Sequence, residues 1–378
     1  MSFKKESVDI HKKYRGKIEI KPKFNINSRK KLAIAYTPGV AEVSKKIAKN
    51  KKEVDKYTNR ANQIAIISDG TAVLGLGDVG PEAGLPVMEG KSAIFKSFAG
   101  VDAVPLCIYS KDVDEIVRFC KNIQPNFAGI NLEDIAAPRC FEILERLESE
   151  LNIPVFHDDQ DGTAIVALAA LINALKVVEK DKENIKVVIN GAGAAGISIA
   201  KLLNDFNVGN IVLLDSKGSI TKNRSDLTSP KQEIAKLLGF EGKSQNLEDS
   251  LKQADVFLGV SKGNLLKKDM IKKMNSKPII FAMANPDPEI LPKEARKAGA
   301  AVVGTGRSDF DNQINNALVF PGIFRGLLDS KKSEIDSKMK IKASFAIANL
   351  IKKPNKNRIL PSVTNKEVVK VVSEAVKN

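Results

Sequence analysis

A glycine-rich turn between two apolar segments is the feature that most restricts the fold of this chain. The turn reads Gly191-Ala192-Gly193-Ala194-Ala195-Gly196 and follows the β-branched run 185–189. A helical stretch rich in Ala, Ile and Leu comes next, and a second apolar run, 210–214, ends on Asp215, which lies 24 residues after Gly191. Strand, glycine turn, helix, strand and acid in this order are typical of the first unit of a dinucleotide-binding Rossmann sheet.

The turn, its helix and Asp215 each have a distinct part in holding a dinucleotide. Glycines let the backbone approach the pyrophosphate, and the first N–H groups of the helix bind its oxygens. The Asp215 carboxylate accepts ribose hydroxyls and repels a 2′-phosphate, whereas Lys217, Lys222 and Arg224 can receive one. We therefore predict that NAD is preferred and that NADP is used to some degree. The predicted cofactor-binding residues are Gly191, Gly193, Ala194, Ala195, Gly196, Asp215 and Asn285.

A second match to the same glycine pattern, at residues 75–80, stands in a different context. Pro81, Gly84 and Pro86 follow it directly, so we expect that no helix begins there. Asp78 lies inside this segment and would face a pyrophosphate with like charge. We interpret the segment as a tight loop that lines a substrate cleft.

Apolar runs and helical stretches alternate along most of the chain, which predicts an α/β fold with mostly parallel sheets. We predict an N-terminal α/β domain at residues 1–160 and a C-terminal, doubly wound Rossmann-type domain at residues 161–378. A helical tail from about residue 321 is expected to pack back on one domain. The predicted strands are 64–67, 101–108, 127–132, 153–156, 185–189, 210–214, 255–260, 278–282 and 301–304, and the predicted helices include 89–98, 112–122, 138–151, 163–179 and 195–204.

Pairs of acidic residues follow two consecutive strands of the N-terminal domain. Glu133-Asp134 follows one strand and Asp158-Asp159 follows the next. Because the carboxyl ends of neighbouring parallel strands meet at one edge of a sheet, four carboxylates are expected to converge there. Oxygen ligands of this kind favour Mg²⁺ or Mn²⁺ over zinc. The alternative is that these acids cap the helices that follow them.

Asparagine side chains at two other positions suit a ligand that carries a carboxylate or a carboxamide. Asn285 ends a strand in the nucleotide-binding half, and Asn316 lies in a turn further along the chain. Both can instead make local turns, which asparagine often does. His157 is expected to be a packing residue or an outer partner of the acidic site. The sequence contains no serine or cysteine nucleophile elbow, so acyl-transfer chemistry is not predicted.

Composition excludes several other classes of protein. The 378 residues are 43% hydrophobic and 28% charged, as in globular proteins. Three cysteines without Cys-x-x-Cys spacing predict a reducing cytoplasm and no disulfide framework. Neither a secretory signal nor an apolar run of membrane-spanning length is expected. The formal charge of +15 makes nucleic-acid binding a hypothesis to consider. However, the lysines are interleaved with acids, and only 4 tyrosines and no tryptophan are present to stack on bases. We therefore favour a solvated, lysine-rich surface.

These segments together resemble the malic enzymes, the decarboxylating malate dehydrogenases, in their short prokaryotic form. The resemblance extends from about residue 15 to the C-terminus. The segments that carry it are Tyr36-Thr37-Pro38-Gly39-Val40-Ala41, Ser68-Asp69-Gly70 with Leu74-Gly75-Leu76-Gly77-Asp78, Pro86-Val87-Met88-Glu89-Gly90-Lys91, Asn131-Leu132-Glu133-Asp134 and Phe156-His157-Asp158-Asp159-Gln160.

The resemblance implies a reaction and a role for each segment. The reaction is malate plus NAD(P)⁺ to pyruvate, CO₂ and NAD(P)H with a divalent metal. Tyr36 and Lys91 are implied as catalytic residues, as the acid for C3 of the enolate and the base for the malate hydroxyl, although the sequence does not assign either residue to a step. The resemblance further implies that Glu133, Asp134 and Asp159 are metal ligands with Asp158 behind them, that Asn285 and Asn316 contact the substrate, and that the protein is a homodimer.

Two departures from the family pattern affect the implied site. Residue 161 is usually His in bacterial relatives and is Asp here, which adds a negative charge beside the metal segment. An arginine that binds substrate in larger eukaryotic members is replaced by Thr71-Ala72, which leaves open how the second malate carboxylate is neutralised. The alternative functions are a 2-hydroxy acid dehydrogenase that does not decarboxylate, a non-catalytic nucleotide-sensing protein on the same scaffold, and a nucleic-acid binder.

Overall fold

The strands of the N-terminal sheet are parallel, so their carboxyl ends lie at the same edge of the sheet. The computed structural model describes residues 3–73 and 75–378, so Leu74, the first residue of the Leu74–Asp78 segment, lies outside the described residues. The strands are β1 (Gln63–Ser68), β2 (Asp102–Cys107), β3 (Ile130–Leu132) and β4 (Val155–His157). They are all parallel, in the order β2-β1-β3-β4. Leu132 pairs with His157, so the acidic residues after β3 and β4 leave the sheet side by side, as predicted.

The C-terminal sheet has the doubly wound order predicted for it. Its strands are β5 (Lys186–Asn190), β6 (Asn210–Asp215), β7 (Gly218–Ser219), β8 (Val256–Gly259), β9 (Ile279–Ala282) and β10 (Val302–Thr305). Their order is β10-β9-β8-β5-β6-β7, and the short edge strand β7 is antiparallel to β6 while the others are parallel. Strands β6 and β7 are added on one side of β5, and strands β8, β9 and β10 on the other. The switch point therefore lies between β5 and β8, where open α/β sheets bind their ligands. The predicted α/β fold class is confirmed.

Helices cover these sheets and connect them. They are α1 (Phe3–Tyr14), α2 (Arg29–Ala35), α3 (Val40–Lys49), α4 (Val54–Tyr57), α5 (Pro81–Ala99), α6 (Val113–Ile123), α7 (Arg139–Glu150), α8 (Thr163–Val178), α9 (Ala194–Asp205), α10 (Ser229–Leu238), α11 (Leu247–Ser250), α12 (Lys268–Ile271), α13 (Pro292–Lys297), α14 (Phe320–Ser330), α15 (Ser337–Ala348) and α16 (Glu367–Lys377). A π-helical turn, Asp158–Gly162, joins β4 to α8. The predicted domain boundary at residue 160 falls inside this turn, and the division into 1–160 and 161–378 stays a prediction.

Helix α8 forms the centre of the largest apolar core. Among the described residues, the stretch Asp158–Val178 is the one that is long and apolar enough to cross a membrane, and 83% of it is buried inside the protein. Burial to this extent explains its composition, because a helix surrounded by other elements is apolar on every face.

The glycine segment at 75–80 leads directly into a helix, contrary to our prediction. Helix α5 begins at Pro81, and Gly80 before it has a φ of 82°, which a glycine adopts without strain. A proline at the first helical position lacks only an N–H that would have no partner inside the helix. Pro86 lies inside α5, and its carbonyl accepts a hydrogen bond from Lys17 at 2.7 Å. The loop itself is tight, as predicted, but the reason we gave for excluding a helix was wrong.

The C-terminal tail packs against the N-terminal sheet through aromatic rings. The ring of Phe320 in α14 lies 4.6 Å from that of Phe95 in α5, and Phe324 lies 6.0 Å from Phe156 at the end of β4. These four side chains are fully buried. The tail therefore helps to fix α5 and β4, the two elements that carry the candidate catalytic lysine and acids.

The N-terminal segment is largely exposed, with only scattered half-buried residues. Helices α1, α2, α3 and α4 contain no buried residue. Large apolar side chains nevertheless project from it into solvent: Phe3, Val8, Ile10, Tyr14, Ile18, Ile20, Phe24, Ile26, Leu32, Ile34 and Tyr36. An exposed apolar surface of this kind is typical of an interface.

Candidate active site

Three carboxylates form a cluster at the carboxyl ends of β3 and β4. Oxygen atoms of Glu133, Asp134 and Asp159 all lie within 4.8 Å of one another. Glu133 and Asp134 are buried, and the backbone N–H of Asp134 donates to Oδ2 of Asp159 at 2.8 Å. The structure thus brings together the three acids that the resemblance implied as metal ligands. Three anionic oxygen donors at this spacing suit a hard divalent cation, since their mutual repulsion favours binding of a positive ion.

A buried lysine enters this cluster from α5. The Lys91 ammonium donates to Glu133 at 2.5 Å and also bonds to Asp158, and it lies 4.5 Å from the ring centre of Phe320. Burial alone would lower the pKa of Lys91, but Asp158, Glu133 and Asp159 outweigh it and raise the pKa well above its ordinary value. Without a bound cation, the group is therefore a firmly charged ammonium.

The pKa values of the two acids that pair with Lys91 are also raised, but here burial outweighs the charge of the neighbouring lysine. Burial raises the pKa of Asp158 to about 6, against the opposing attraction of Lys91. Burial also raises the pKa of Glu133 well above its ordinary value, and the other carboxylates of the cluster add to the effect. Asn131 donates to Oε2 of Glu133 at 2.9 Å and holds this side chain toward the cluster. The site is thus a dense set of acids with one fixed positive charge.

The glycine turn at residues 191–196 has the geometry of a phosphate-binding turn. Gly191 has a φ of 126°, and a Cβ at Gly196 would lie 1.7 Å from the Gly191 carbonyl oxygen, so a side chain is excluded there. Helix α9 begins at Ala194, so the N–H groups of Ala194 and Ala195 belong to the helix end that attracts anions. The turn follows β5 and lies beside Val260 at the end of β8, at the switch point of the sheet.

Asp215 ends β6 but is not free to act alone. Its carboxylate accepts hydrogen bonds from Arg224 at 2.8 and 3.1 Å and from Lys231 at 2.6 Å. Burial acts to raise the pKa of Asp215, but the bonds from Arg224 and Lys231 outweigh it and hold the pKa at about 2. Lys231 was not singled out in the sequence, because it lies 16 residues further along the chain with no pattern to connect the two.

Comparison with known proteins agrees with this arrangement. Two family models match the chain: "Malic enzyme, NAD binding domain" over residues 160–378 and "Malic enzyme, N-terminal domain" over residues 15–111 and 107–148. The chain belongs to the malic enzyme family.

Individual relatives show how far the similarity extends. The chain is 53% identical to the bifunctional malic/malolactic enzyme of Bacillus subtilis, over 100% of this chain and 92% of that protein. It is 46% identical to the probable NADP-dependent malic enzyme of Rickettsia prowazekii, over 96% of this chain and 48% of that longer protein. The crystal structure of the NAD-dependent malic enzyme of Thermotoga maritima superposes with a TM-score of 0.94 at 47% identity, over 98% of each chain.

The two asparagines implied by the malic enzyme resemblance lie in different surroundings, and only Asn316 is placed beside the acidic site. The Cβ of Asn316 would be 3.3 Å from a Cβ at Gly162, which itself lies against Asp158. Asn285 follows β9, and a Cβ at Gly75 would lie 2.1 Å from its backbone oxygen. The 75–80 loop and the nucleotide-binding half therefore meet at Asn285.

Tyr36 and His157 differ sharply in their surroundings. Tyr36 follows α2 in the exposed N-terminal segment, and its side chain is 67% exposed. Among the described residues, no side-chain hydrogen bond or ion pair joins it to the Lys91 cluster. His157 is fully buried, burial lowers its pKa, and its Nδ1 lies 3.8 Å from Oδ2 of Asp159.

Asp161, the residue expected to depart from the family pattern, has a counter-charge from the C-terminal tail. Oδ1 of Asp161 accepts from the ammonium of Lys340 in α15 at 2.7 Å. The two residues are 179 positions apart, so no local pattern in the sequence could have predicted the pair. The extra negative charge beside the metal segment is thus compensated.

An arginine that the sequence analysis missed stands beside the loop where the family arginine is absent. Arg139, the first residue of α7, donates to the buried carboxylate of Asp69 at 2.7 and 3.1 Å and also bonds to the hydroxyl of Thr71. The side chain is 22% exposed. Its charge is shared with Asp69, so its presence does not by itself show how the second malate carboxylate is neutralised.

Proposed function

We propose that this protein catalyses the metal-dependent oxidative decarboxylation of malate to pyruvate and CO₂ with reduction of NAD(P)⁺. The observation that carries the proposal is the carboxylate cluster of Glu133, Asp134 and Asp159 beside the buried Lys91, in a chain that belongs to the malic enzyme family. A cation at this position would stabilise the negative charge left on the substrate when CO₂ departs, a charge that a non-decarboxylating dehydrogenase does not generate.

The residues of the cluster divide into ligands and supports. Glu133, Asp134 and Asp159 would hold Mg²⁺ or Mn²⁺, and Asp158 would stay behind them, paired with Lys91. The bound cation supplies Lewis-acid stabilisation of the negative charge that develops on the substrate oxygen at C2. Asn131 keeps Glu133 in place, and Lys91, Glu133 and Asp158 are all buried.

Lys91 and Tyr36 are proposed to move protons. Lys91 would accept the proton of the C2 hydroxyl, which requires its pKa to fall from the high value set by its acidic neighbours. A second positive charge bound to Glu133 would lower the pKa of Lys91, because Glu133 is one of the acids that raise it. Tyr36 would donate a proton to C3 after CO₂ leaves. The Tyr36 side chain is 67% exposed, so this role requires a contact that brings it to the Lys91 cluster.

The cofactor and the substrate are proposed to meet between the two halves of the molecule. The glycine turn and the N–H groups of Ala194 and Ala195 would bind the pyrophosphate, and Asp215 would face the adenosine ribose. Asn285 and Asn316 would orient the nicotinamide side and a carboxylate of malate. NAD is proposed as the preferred cofactor, with NADP also accepted.

Product analysis tests this function directly. With malate, Mn²⁺ and NAD⁺ supplied, we expect pyruvate, CO₂ and NADH to form in equal amounts, because oxidation and decarboxylation occur at the same site. Coupled assays for pyruvate and ¹⁴CO₂ release from C4-labelled malate measure this ratio. Accumulation of oxaloacetate with NADH but without CO₂ would instead identify a non-decarboxylating dehydrogenase.

We further propose that two copies associate through the exposed N-terminal segment. Its large apolar side chains, including the fully exposed Ile20, are exposed to solvent in one chain. Burying such side chains stabilises association by about 25 cal/mol for each Å² removed from water. A second copy of this chain supplies a matching surface by symmetry. Covering this segment would also restrict the position of Tyr36.

Solution mass tests the association. We expect a particle of twice the 41.1 kDa chain mass in light scattering at micromolar concentration. Residues 1–60 carry 18 lysines and arginines against 6 acids, so like charges meet in such a dimer and salt should strengthen it. A replacement of Ile20 by Lys should weaken the dimer, whereas the same change at exposed Leu265, in the nucleotide-binding half, serves as the control. A monomer at both low and high salt would contradict the proposal.

A cytoplasmic location is also proposed. Cys107, Cys120 and Cys140 are free thiols, as expected in a reducing compartment. Malate is the proposed partner, and neither a nucleic acid nor a membrane is part of the proposed function.

A further inference from the structure

A buried acid that has no part in the chemistry described so far lies in the nucleotide-binding half. Glu289 belongs to the loop after β9, and its side chain is fully buried. Burial raises the pKa of Glu289 above its ordinary value, and among the described residues no cation forms an ion pair with it. A carboxylate is costly to bury without a cation, so the groups that its oxygens accept from explain its presence.

Each oxygen of the Glu289 carboxylate accepts a hydrogen bond from the backbone. Oε1 accepts from the N–H of Ser261 at 3.2 Å, and Oε2 accepts from the N–H of Ala284 at 3.1 Å. Ser261 lies just after β8 and Ala284 just after β9, so the two bonds connect the carboxyl ends of neighbouring strands. An amide side chain has a single acceptor oxygen and could accept only one of these N–H groups through it.

The backbone around Glu289 leaves room for this side chain and follows it closely. A Cβ at Gly259, the last residue of β8, would lie 2.3 Å from Cδ of Glu289, so a side chain there would displace the carboxylate. The Glu289 carbonyl accepts from the N–H of Leu266 at 3.0 Å, and the Pro288 carbonyl accepts from that of Asn264 at 3.0 Å. The loops after β8 and β9 are therefore held together by the backbone as well as by the carboxylate.

The two residues that donate to Glu289 adjoin different parts of the candidate active site. Nδ2 of Asn190 donates to Oγ of Ser261 at 2.9 Å, and Asn190 directly precedes the glycine turn. Ala284 directly precedes Asn285, whose backbone oxygen meets the tight glycine loop of the N-terminal half. Glu289 thus connects the phosphate-binding turn on one side with Asn285 and the substrate-side loop on the other.

We propose that Glu289 is a positioning residue for hydride transfer, which holds the loop of Asn285 in register with the glycine turn. The inference rests on the proposed function, since it assumes that malate and the dinucleotide meet between these two loops. In the reaction a hydride leaves C2 of malate and reduces NAD⁺ to NADH. Glu289 is fully buried and acts through the N–H groups of Ser261 and Ala284. A displacement of about 1 Å at a reacting centre can slow a reaction by about 10²-fold.

Glu289→Gln tests this role with little change in shape. Glutamine keeps one acceptor and presents an NH₂ group to the other N–H, so one of the two strand ends is released. We expect the rate of NADH formation in the first turnover, measured by stopped-flow mixing at saturating NAD⁺ and malate, to fall by about tenfold or more. Malate with deuterium at C2 should slow this step further, which identifies it as hydride transfer. The Kd of NADH, measured by its fluorescence, should change by less than about threefold, because the glycine turn itself is intact.

A second variant displaces the same carboxylate without removing it. Gly259→Ala places a methyl group against Cδ of Glu289 and should also slow the first turnover while leaving the Kd of NADH nearly unchanged. Glu179→Gln, at an acid of the same half whose side chain is 81% exposed, is the matched control for loss of a carboxylate. It should leave both the first-turnover rate and the Kd unchanged. Thermal unfolding of each variant shows that the rates are measured on folded protein.

Three outcomes would contradict the proposal in different ways. If the intact protein forms no NADH from malate, the proposed function itself is wrong. If Glu289→Gln and Gly259→Ala lose thermal stability but keep the first-turnover rate of the intact protein, Glu289 only packs the strand ends. If the Kd of NADH rises and saturating NAD⁺ restores the rate, Glu289 supports cofactor binding and does not position the reacting atoms.

Discussion

Replacement of Lys91 by Met is expected to lower malate turnover by about 10²–10⁴-fold, the usual contribution of a group that moves a proton in the transition state. The change also leaves Glu133 and Asp158 buried without their counter-charge, and breaking a buried ion pair typically costs about 3–5 kcal/mol of folding free energy. Steady-state kinetics on the folded variant measures the loss of turnover, and thermal unfolding measures the loss of stability. The two effects are therefore measured separately.

Lys91→Arg distinguishes a base from a fixed positive charge. Arginine keeps the charge beside Glu133 and Asp158, but it does not deprotonate in proteins. If Lys91 accepts the hydroxyl proton, the Arg variant should be nearly as inactive as the Met variant while unfolding close to the temperature of the intact protein. Lys96→Met, on the exposed face of the same helix, is the control and should keep full activity. An active Arg variant would reduce Lys91 to an electrostatic role.

The strand ends and the glycine turn could be predicted because their signals are local. A β-branched run followed by glycines restricts the backbone within a few residues, and parallel strands bring their carboxyl ends to the same edge wherever they lie in the chain. The convergence of Glu133, Asp134 and Asp159 follows from these two facts alone. The strand before Glu133 is shorter than predicted, because Gly129 and its neighbours precede the paired residues Ile130–Leu132.

The charge pairs that complete the site could not be predicted, because they join distant parts of the chain. Lys340 reaches Asp161 from the C-terminal tail, and Arg139 reaches Asp69 across 70 positions. Neither pair has a periodicity or a motif. These pairs depend on which elements the fold places together. The residues next to a lysine in the sequence do not show whether it neutralises a buried acid or lies in solvent.

The start of α5 shows a different kind of error. Prolines near a helix were interpreted as evidence against it, although Pro81 occupies the first helical position, where proline is tolerated.

The N-terminal segment shows a third kind of error. Its apolar residues look like ordinary core residues in the sequence, and only the fold reveals that none of its helices is buried.

The second large effect concerns the carboxylate cluster and its cation. Removing divalent metal with EDTA should abolish malate oxidation, and Mn²⁺ or Mg²⁺ should restore it. Asp159→Asn keeps an oxygen for the N–H of Asp134 but removes one of three ligand charges. Loss of an outer partner alone typically costs about 10–100-fold in metal affinity, so loss of a ligand should cost at least as much. Titration of Mn²⁺ by electron paramagnetic resonance measures this affinity without turnover.

Protons should compete with the cation in this site. Burial raises the pKa of Asp158 to about 6 and that of Glu133 well above its ordinary value, so both acids bind protons more tightly in the folded protein than in the unfolded chain. Their contribution to the stability of the metal-free protein is therefore present at low pH and is lost as the pH rises toward 6. Metal binding needs the ionised forms, so Mn²⁺ affinity should increase over the same range. Asp114→Asn, at an exposed acid of α6, is the control and should leave Mn²⁺ affinity and its pH dependence unchanged. Full activity of the EDTA-treated enzyme, or equal Mn²⁺ affinity in Asp159→Asn and the intact protein, would show that these acids do not hold a metal.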